Sequence, residues 1–325
     1  MKKFKKVLLY AVILIVLAVV SVISYVTLAL PDVGKPENIT VALTPQRIAR
    51  GQYLANHVCL CIDCHSQRDW SKPIGDIPPG HFGSGGDDID ISEGVPGDIY
   101  IPNITPYKLR SWTDGEIFRA ITAGERKDGS AIFPLMPWPH FSKMDREDLY
   151  AIIAYLRSLP AIKTNPYPKP KLDFPTNIFV HTMPTRAIFG KLPDNSDTAK
   201  YGEYLTLMAD CDLCHSRKEN GKMFGKIIPG LNFAGGVEFQ MGNKKIYSAN
   251  LTPEKQTGIG AWTREAFVER FKSFTDSARL KNKSSKNEAS PMPWYDYSGM
   301  SETDLKAIYF YLRTIKPVYN KTFNN

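Results

Sequence analysis

Six residues of this 325-residue chain fall into one short pattern written twice: Cys61, Cys64 and His65, then Cys211, Cys214 and His215. Two thiols separated by two residues can form thioethers to the two vinyl-derived carbons of a haem, and the adjacent histidine is then placed under the iron as a ligand. The same residue types also occur in zinc sites and redox dithiols. Zinc needs four ligands, and each copy offers Cys, Cys and one close His with no second close pair. A redox dithiol is expected beside a βαβ pattern, which the chain does not show. Two copies in register favour haem.

A sixth ligand is suggested by two methionines. Met136 lies 71 residues after His65 and Met292 lies 77 residues after His215, and both are followed by Pro-Trp, with Pro134 and Pro291 just before them. A proline-flanked loop can hold a thioether against iron, where it raises the reduction potential relative to a second histidine. Core filling is the ordinary role of a methionine, but equivalent positions in two copies point to ligation. The candidate set is therefore Cys61, Cys64, His65 and Met136 on one haem c, and Cys211, Cys214, His215 and Met292 on another.

The remaining candidates carry weaker signals. His57, His81, His140 and His181 have no counterpart in the repeat and read as surface or hydrogen-bonding histidines, with His140, four residues beyond Met136, the nearest to a ligand position. Cys59 leaves an odd thiol count and reads as a buried small residue, with a reactive thiol or an intermolecular disulfide as alternatives. The glycines at 83, 85, 86, 235 and 236 match no nucleotide fingerprint; they suit tight turns or close backbone approach to a haem face. Trp112, Trp138, Trp262 and Trp294 either line a cleft, where an indole N–H can reach a propionate, or fill the core.

The elements that must position these residues repeat as well. Gly51, Tyr53 and Leu54 answer Gly202, Tyr204 and Leu205; "NITP" at 103–106 answers "NLTP" at 250–253; "DLYAIIAYLR" at 148–157 answers "DLKAIYFYLR" at 304–313. Apolar spacing predicts a helix over 44–56 that Thr44 caps and Pro45 begins. A second is expected over 113–123, stopped by Gly124, and a third from Asp145 with Leu149, Ile152, Ile153 and Leu156 on one stripe. Ser301 with Asp304 reads as a capping box for the last helix. Strand alternation is weak.

The copies span 46–159 and 197–317, preceded by a linker at 31–45 and followed by a tail at 318–325. The connector at 160–196 holds seven prolines, so it is expected to run extended along a domain surface, with Ile178, Phe179, Val180 and Phe189 partly buried. Residues 1–30 comprise Lys2, Lys3, Lys5 and Lys6 and a charge-free run from Val7 to Leu30. Such a run can cross a membrane once, and the lysines would hold that end inside, leaving the rest in the periplasm or on the outer face of the cytoplasmic membrane. A cleaved secretion signal is the rival, but its apolar region is usually only about 7–15 residues long. The formal charge of +8 would be lowered by haem propionates, and no nucleic-acid motif accompanies it.

These blocks, with Trp112-Thr113-Asp114-Gly115-Glu116 and "LMPW" at 135–138, resemble the class I cytochrome c subunits that accept electrons for periplasmic membrane-bound dehydrogenases. The resemblance covers both repeat copies. The expected fold is mainly α, an N-terminal transmembrane helix followed by two class I cytochrome c domains, and the resemblance implies His65 and Met136 on one iron and His215 and Met292 on the other. Those subunits usually carry three haem domains and a C-terminal anchor. The expected function is outer-sphere electron transfer between a membrane-bound dehydrogenase or quinol-oxidising complex and a soluble cytochrome or terminal oxidase, with no substrate site of its own. A diheme peroxidase-like enzyme and a haem-containing sensory or assembly subunit are the alternatives.

Overall fold

The computed structural model describes residues 2–69, 75–86, 88–89, 94–194, 196–241, 244–275 and 290–322, and among these the chain is mainly helical. Helix α1, Lys2–Ala29, is long and apolar enough to cross a membrane. None of its residues is fully buried, and it meets the rest of the fold at the turns Thr176–Phe179 and Val180–Thr182.

In the first half, α2 (Pro45–Tyr53) starts where the Thr44 hydroxyl accepts from the Arg47 amide. It runs into a π-turn, Leu54–Val58, closed by Cys59 N donating to Leu54 O, and then reaches the short helix α3, Cys61–Cys64. Helix α4 (Asp114–Ala123) carries a full capping box between Thr113 and Glu116 and ends at Gly124, whose φ of 73° suits glycine alone. The turn α5 (Trp138–Phe141) and helix α6 (Arg146–Ser158), capped by Asp145, complete the half. The second half repeats the order with α7 (Thr198–Met208), α8 (Cys211–His215), α9 (Arg264–Lys272), α10 (Trp294–Ser298) and α11 (Glu302–Thr314).

Two glycines hold the main crossings. An added Cβ at Gly51 would lie 1.8 Å from Ala151 O, and one at Gly202 would lie 1.9 Å from Ala307 O. Helix α2 therefore touches α6, and α7 touches α11, backbone to backbone. The apolar stripes of α6 and α11 close over these crossings: Leu149, Ile152 and Ile153 on one, Leu305, Ile308 and Leu312 on the other, all buried.

The halves share one apolar cluster, and their polar contacts are reciprocal. Tyr53 Oη donates to Asp304 at 2.5 Å and accepts from Ser301 N at 3.0 Å; the equivalent Tyr204 Oη donates to Asp148 at 2.8 Å and accepts from Asp145 N at 3.3 Å. Residue i meets residue j, and the counterpart of j meets the counterpart of i, which is the signature of a two-fold contact, here within one chain. Arg50 grips Asp148 with two bonds of 2.8 Å, while Tyr201, at the equivalent place, donates to Asp304 at 3.2 Å. This corrects the capping-box reading of α11: the Ser301 hydroxyl does accept from Asp304 N, but the Asp304 carboxylate serves Tyr53 and Tyr201 instead.

Short strands also form where alternation was weak. Strand β1 (Asp88–Ile89) pairs antiparallel with β2 (Gly97–Tyr100), which pairs with β3 (Lys171–Leu172); β4 (Glu238–Met241) and β5 (Lys244–Tyr247) make a hairpin. Because β3 belongs to the connector, this pairing pins it along the first half, as the prolines suggested. Val180 is buried, and Phe189 packs on Phe118 with ring centroids 5.2 Å apart. Phe179 departs from expectation: it is 56% exposed and lies in a helical turn packed against α1.

Candidate haem-binding sites

Each C-x-x-C-H helix begins at a left-handed residue. Leu60 and Asp210 both have φ of 51°, one position before Cys61 and Cys211. Asp tolerates this conformation and Leu does not, at a cost of roughly 1–2 kcal/mol. The first half keeps the turn regardless of side chain, and retained strain of this kind concentrates at functional sites.

The two histidines are clamped alike. The Nδ1 of His65 meets Pro102 O at 2.7 Å, and the Nδ1 of His215 meets Ala249 O at 2.8 Å. A carbonyl can only accept, so Nδ1 carries the proton and Nε2 holds the lone pair of the neutral ring. Burial pulls both histidines below their ordinary pKa, only partly opposed by the carbonyl bond. The ring is thereby kept neutral, as an iron ligand must be.

Sequence reasoning did not foresee what holds those carbonyls in place. Gly85 N donates to His65 O and Gly235 N to His215 O, both at 2.7 Å. A Cβ at Gly85 would lie 2.5 Å from Ile101 O, and one at Gly235 would lie 2.5 Å from Ser248 O, so only glycine lets the carbonyl-bearing segment approach. The Asn of each N-x-T-P block fixes the same segment from behind. Asn103 Oδ1 accepts from the Thr105 amide and hydroxyl at 2.8 and 2.7 Å, and Asn250 Oδ1 from Thr252 at 2.9 and 2.7 Å. The serine after each histidine ties in the glycine loop: Ser66 Oγ accepts from Gly83 N, and Ser216 Oγ from Phe233 N. The repeated "HS" and "N-x-T-P" were the available signals.

In the first half Cys61, His65, Pro102, Asn103 and Met136 line a cavity of about 600 Å³, walled by Leu109, Trp112, Ile117, Ile121, Ile152 and Leu156. Its polar lining includes Lys108, Arg126 and Lys169. In the second half Cys211 and Met292 pack, half-buried, against the shared core, as Cys61 and Met136 do in the first. Cys64 is exposed, and Cys214 Sγ lies 4.0 Å from Met223 Sδ. Burial pushes the Cys61 and Cys214 thiols up to about 12 and raises Cys211 as well. Zinc ligation and dithiol exchange draw on thiolates favoured by a lowered pKa, so these environments favour neither.

The other candidates have structural partners. His140 Nδ1 pairs with Asp210 at 2.7 Å across the junction of the halves, with Asp212 3.7 Å from Nε2. His57 Nδ1 contacts Asp296 O at 2.9 Å, and His181 Nδ1 contacts Leu30 O at 3.1 Å. Cys59 is buried, as expected, and its thiol is pushed up chiefly by that burial. The propionate reading fails for Trp138, whose Nε1 donates to Ile132 O at 3.0 Å. Trp294 stacks on Phe274. Trp112 does line the first cavity, while Trp262 is 39% exposed.

Fold and site together describe a duplicated helical architecture with one C-x-x-C-H motif per half. No family model matches the chain. It is similar to the cytochrome c subunit of the quinone alcohol dehydrogenase of Gluconacetobacter polyoxogenes, 26% identical over 285 residues that cover 83% of this chain and 56% of that one. The fructose dehydrogenase cytochrome subunit of Gluconobacter japonicus is 27% identical over 286 residues, 82% and 52% of the two chains. The gluconate 2-dehydrogenase cytochrome c subunit of Pantoea cypripedii matches 125 residues at 34% identity, 38% and 25% of the two chains. The chain thus spans about half the length of the first two relatives. At family level this is homology to cytochrome c subunits of dehydrogenases, and it supports a general electron-transfer role with haem as cofactor.

Proposed function

We propose that this chain is a membrane-anchored diheme cytochrome c, with class I cytochrome c domains at 46–159 and 197–317 and the connector and linker as bounded from the sequence. Cys61 and Cys64 would hold one haem covalently with His65 and Met136 on its iron; Cys211, Cys214, His215 and Met292 would do the same for the second. The observation that carries the reading is the duplicated clamp: two histidines, each with Nδ1 spent on a backbone carbonyl and Nε2 left as the ligating nitrogen. The cavity beside His65 fits the group by volume and by its largely apolar lining.

A bound haem c supplies a one-electron couple whose potential its axial ligands set. The chain's own part is to fix that couple and keep substrates away from it. The Pro102 and Ala249 carbonyls orient each imidazole and raise its basicity, the proline-flanked loops would present Met136 and Met292, and the apolar walls of the first cavity would surround most of the haem. Lys108, Arg126 and Lys169 suit the propionates of the first haem. With His65 and Met136 on one iron and His215 and Met292 on the other, no position would be left for a substrate, and transfer would be outer-sphere. Electrons would pass from a membrane-bound dehydrogenase or quinol-oxidising complex to a soluble cytochrome or terminal oxidase. The relatives' names support the first partner class. Residues 1–30 would cross the cytoplasmic membrane once, N-terminus inside, with both domains in the periplasm or on the outer face.

Purification of the native complex in mild detergent tests the partner. Co-migration of a dehydrogenase or quinol-oxidising enzyme with the haem-staining band is expected, whereas peroxide turnover by the isolated chain would favour the peroxidase reading.

A further inference from the structure

The bilayer core is about 30 Å thick and takes about 20 helical residues to cross. Counted from Val7, where the charge-free run begins, that length ends near Val26, so the last residues of α1 stand at headgroup level if α1 spans. The half-buried residues of α1 lie there and not along its middle: Ser24, Val26 and Thr27. The connector lies against this end of the helix. The turn Thr176–Phe179 and the following turn Val180–Thr182 pack against α1, and His181 Nδ1 meets Leu30 O at 3.1 Å.

This collar is apolar where it is open. Phe174 is 78% exposed and Phe179 56%, large aromatic surfaces for which the fold provides no cover. Residues 160–194 also carry Lys163, Lys169, Lys171, Arg186 and Lys191 against Asp173 and Asp194. Exposed aromatics with a cationic excess, held at the depth where a membrane helix emerges, are the composition of an interfacial anchor.

We propose that the connector collar, through Phe174 and Phe179, seats in the lipid headgroup and acyl boundary beside α1. The proposal rests on reading α1 as a membrane span. Asn177, Val180 and His181 belong to the same turns and also line the first cavity. A seated collar therefore sets that cavity, and the haem proposed for it, at the membrane surface. The first half becomes the side that meets a membrane-embedded donor or acceptor.

The full chain, reconstituted in vesicles of phosphatidylcholine and phosphatidylglycerol containing a diazirine-bearing phosphatidylcholine, can be photolysed and mapped by peptide mass spectrometry. Phe310 and Trp262 of the second half, 40% and 39% exposed, are the reference surface. Labelling at Phe174 and Phe179 is expected to exceed the reference several-fold, and to fall to the reference in F174S/F179S while α1 stays labelled. Labelling confined to α1 overturns the docking but not the span. Failure to label either overturns both. Labelling of Phe310 and Trp262 as strongly as the collar also overturns the docking, because the membrane would then not select this face.

Discussion

Replacing Gly202 by alanine places a methyl group 1.9 Å from Ala307 O and 2.4 Å from Ala307 C. An ordinary contact begins near 3.4 Å, so α7 and α11 must part by about 1.5 Å, and no flexible side chain is available to yield. Overpacking of a core costs roughly 1–3 kcal/mol, and backbone against backbone belongs at the upper end. Against this, alanine inside a helix is worth about 1 kcal/mol more than glycine. The net expectation is a destabilisation of about 2 kcal/mol. Urea unfolding of the full chain in detergent, followed by far-UV circular dichroism, should show a lower midpoint for G202A. G51A should behave in the same way, since its methyl would lie 1.8 Å from Ala151 O. The two contributions have opposite sign. A midpoint unchanged or raised in both variants would mean that these helices do not cross at their glycines, and the described packing of both halves would be wrong.

Other perturbations probe the junction and the sites. Tyr204→Phe removes a buried bond to the Asp148 carboxylate and should cost about 2 kcal/mol; a double-mutant cycle with Asp148→Asn that shows no coupling would refute the reciprocal junction. For His140, burial is the largest single influence and lowers the pKa, but Asp210 and Asp212 together outweigh it and the net shift is upward. A raised folded pKa means stability that is fully present below the ordinary histidine value of about 6.5 and lost as pH rises through the folded value. The thermal midpoint should therefore fall on alkalinisation across that window, less steeply in H140Q; parallel pH profiles would show that the pair carries no such linkage. Asp210 is itself raised, chiefly by burial, so its charge is tolerated and not favoured at the junction. Met136→Ala or Met292→Ala should lower one reduction potential by on the order of 0.1 V, within the ~0.8 V range that axial ligands set, and admit imidazole or cyanide to one iron. An unchanged redox titration with no ligand binding would remove that methionine from the axial set. Thr113→Ala, which breaks a two-way capping box, should cost about 1 kcal/mol in the same unfolding assay.

The local elements were largely legible because their signals are local. Thr44, Thr113, Asp145 and Ser301 cap helices as their residue types dictate, and Gly124 stops one. Even the π-turn has a sequence trace: Gly51 to Cys61 is one residue longer than Gly202 to Cys211, and a π-turn absorbs a single inserted residue. What sequence could not reveal is how the copies face each other. Tyr53 and Tyr204 stand in the sequence only as matching repeat positions, and nothing there shows that Asp304 and Asp148, 251 and 56 residues away, accept their hydroxyls. The same blindness produced the mistaken capping box at Asp304, since a carboxylate three residues after a serine looks alike whether it turns back to the cap or outward to a neighbour. The apolar residues of the connector predicted that part of it is buried, which holds for Val180, while the exposure of Phe179 beside α1 depends on where the connector lies against the anchor. Around the two histidines the visible motif named the candidate ligands, while their support comes from backbone carbonyls of Pro102 and Ala249, whose only trace in the sequence is the repeated N-x-T-P block beside them.

The central claim, two covalently held haems on two C-x-x-C-H centres, is tested most directly by haem stoichiometry. The chain would be purified from a host that attaches c-type haem, extracted with acidified organic solvent, and examined by pyridine haemochrome absorbance and intact-mass spectrometry. The account predicts two haem groups per chain that survive extraction, one in C61A/C64A and one in C211A/C214A. Haem that extracts freely, or a wild-type chain carrying fewer than two groups, would contradict it.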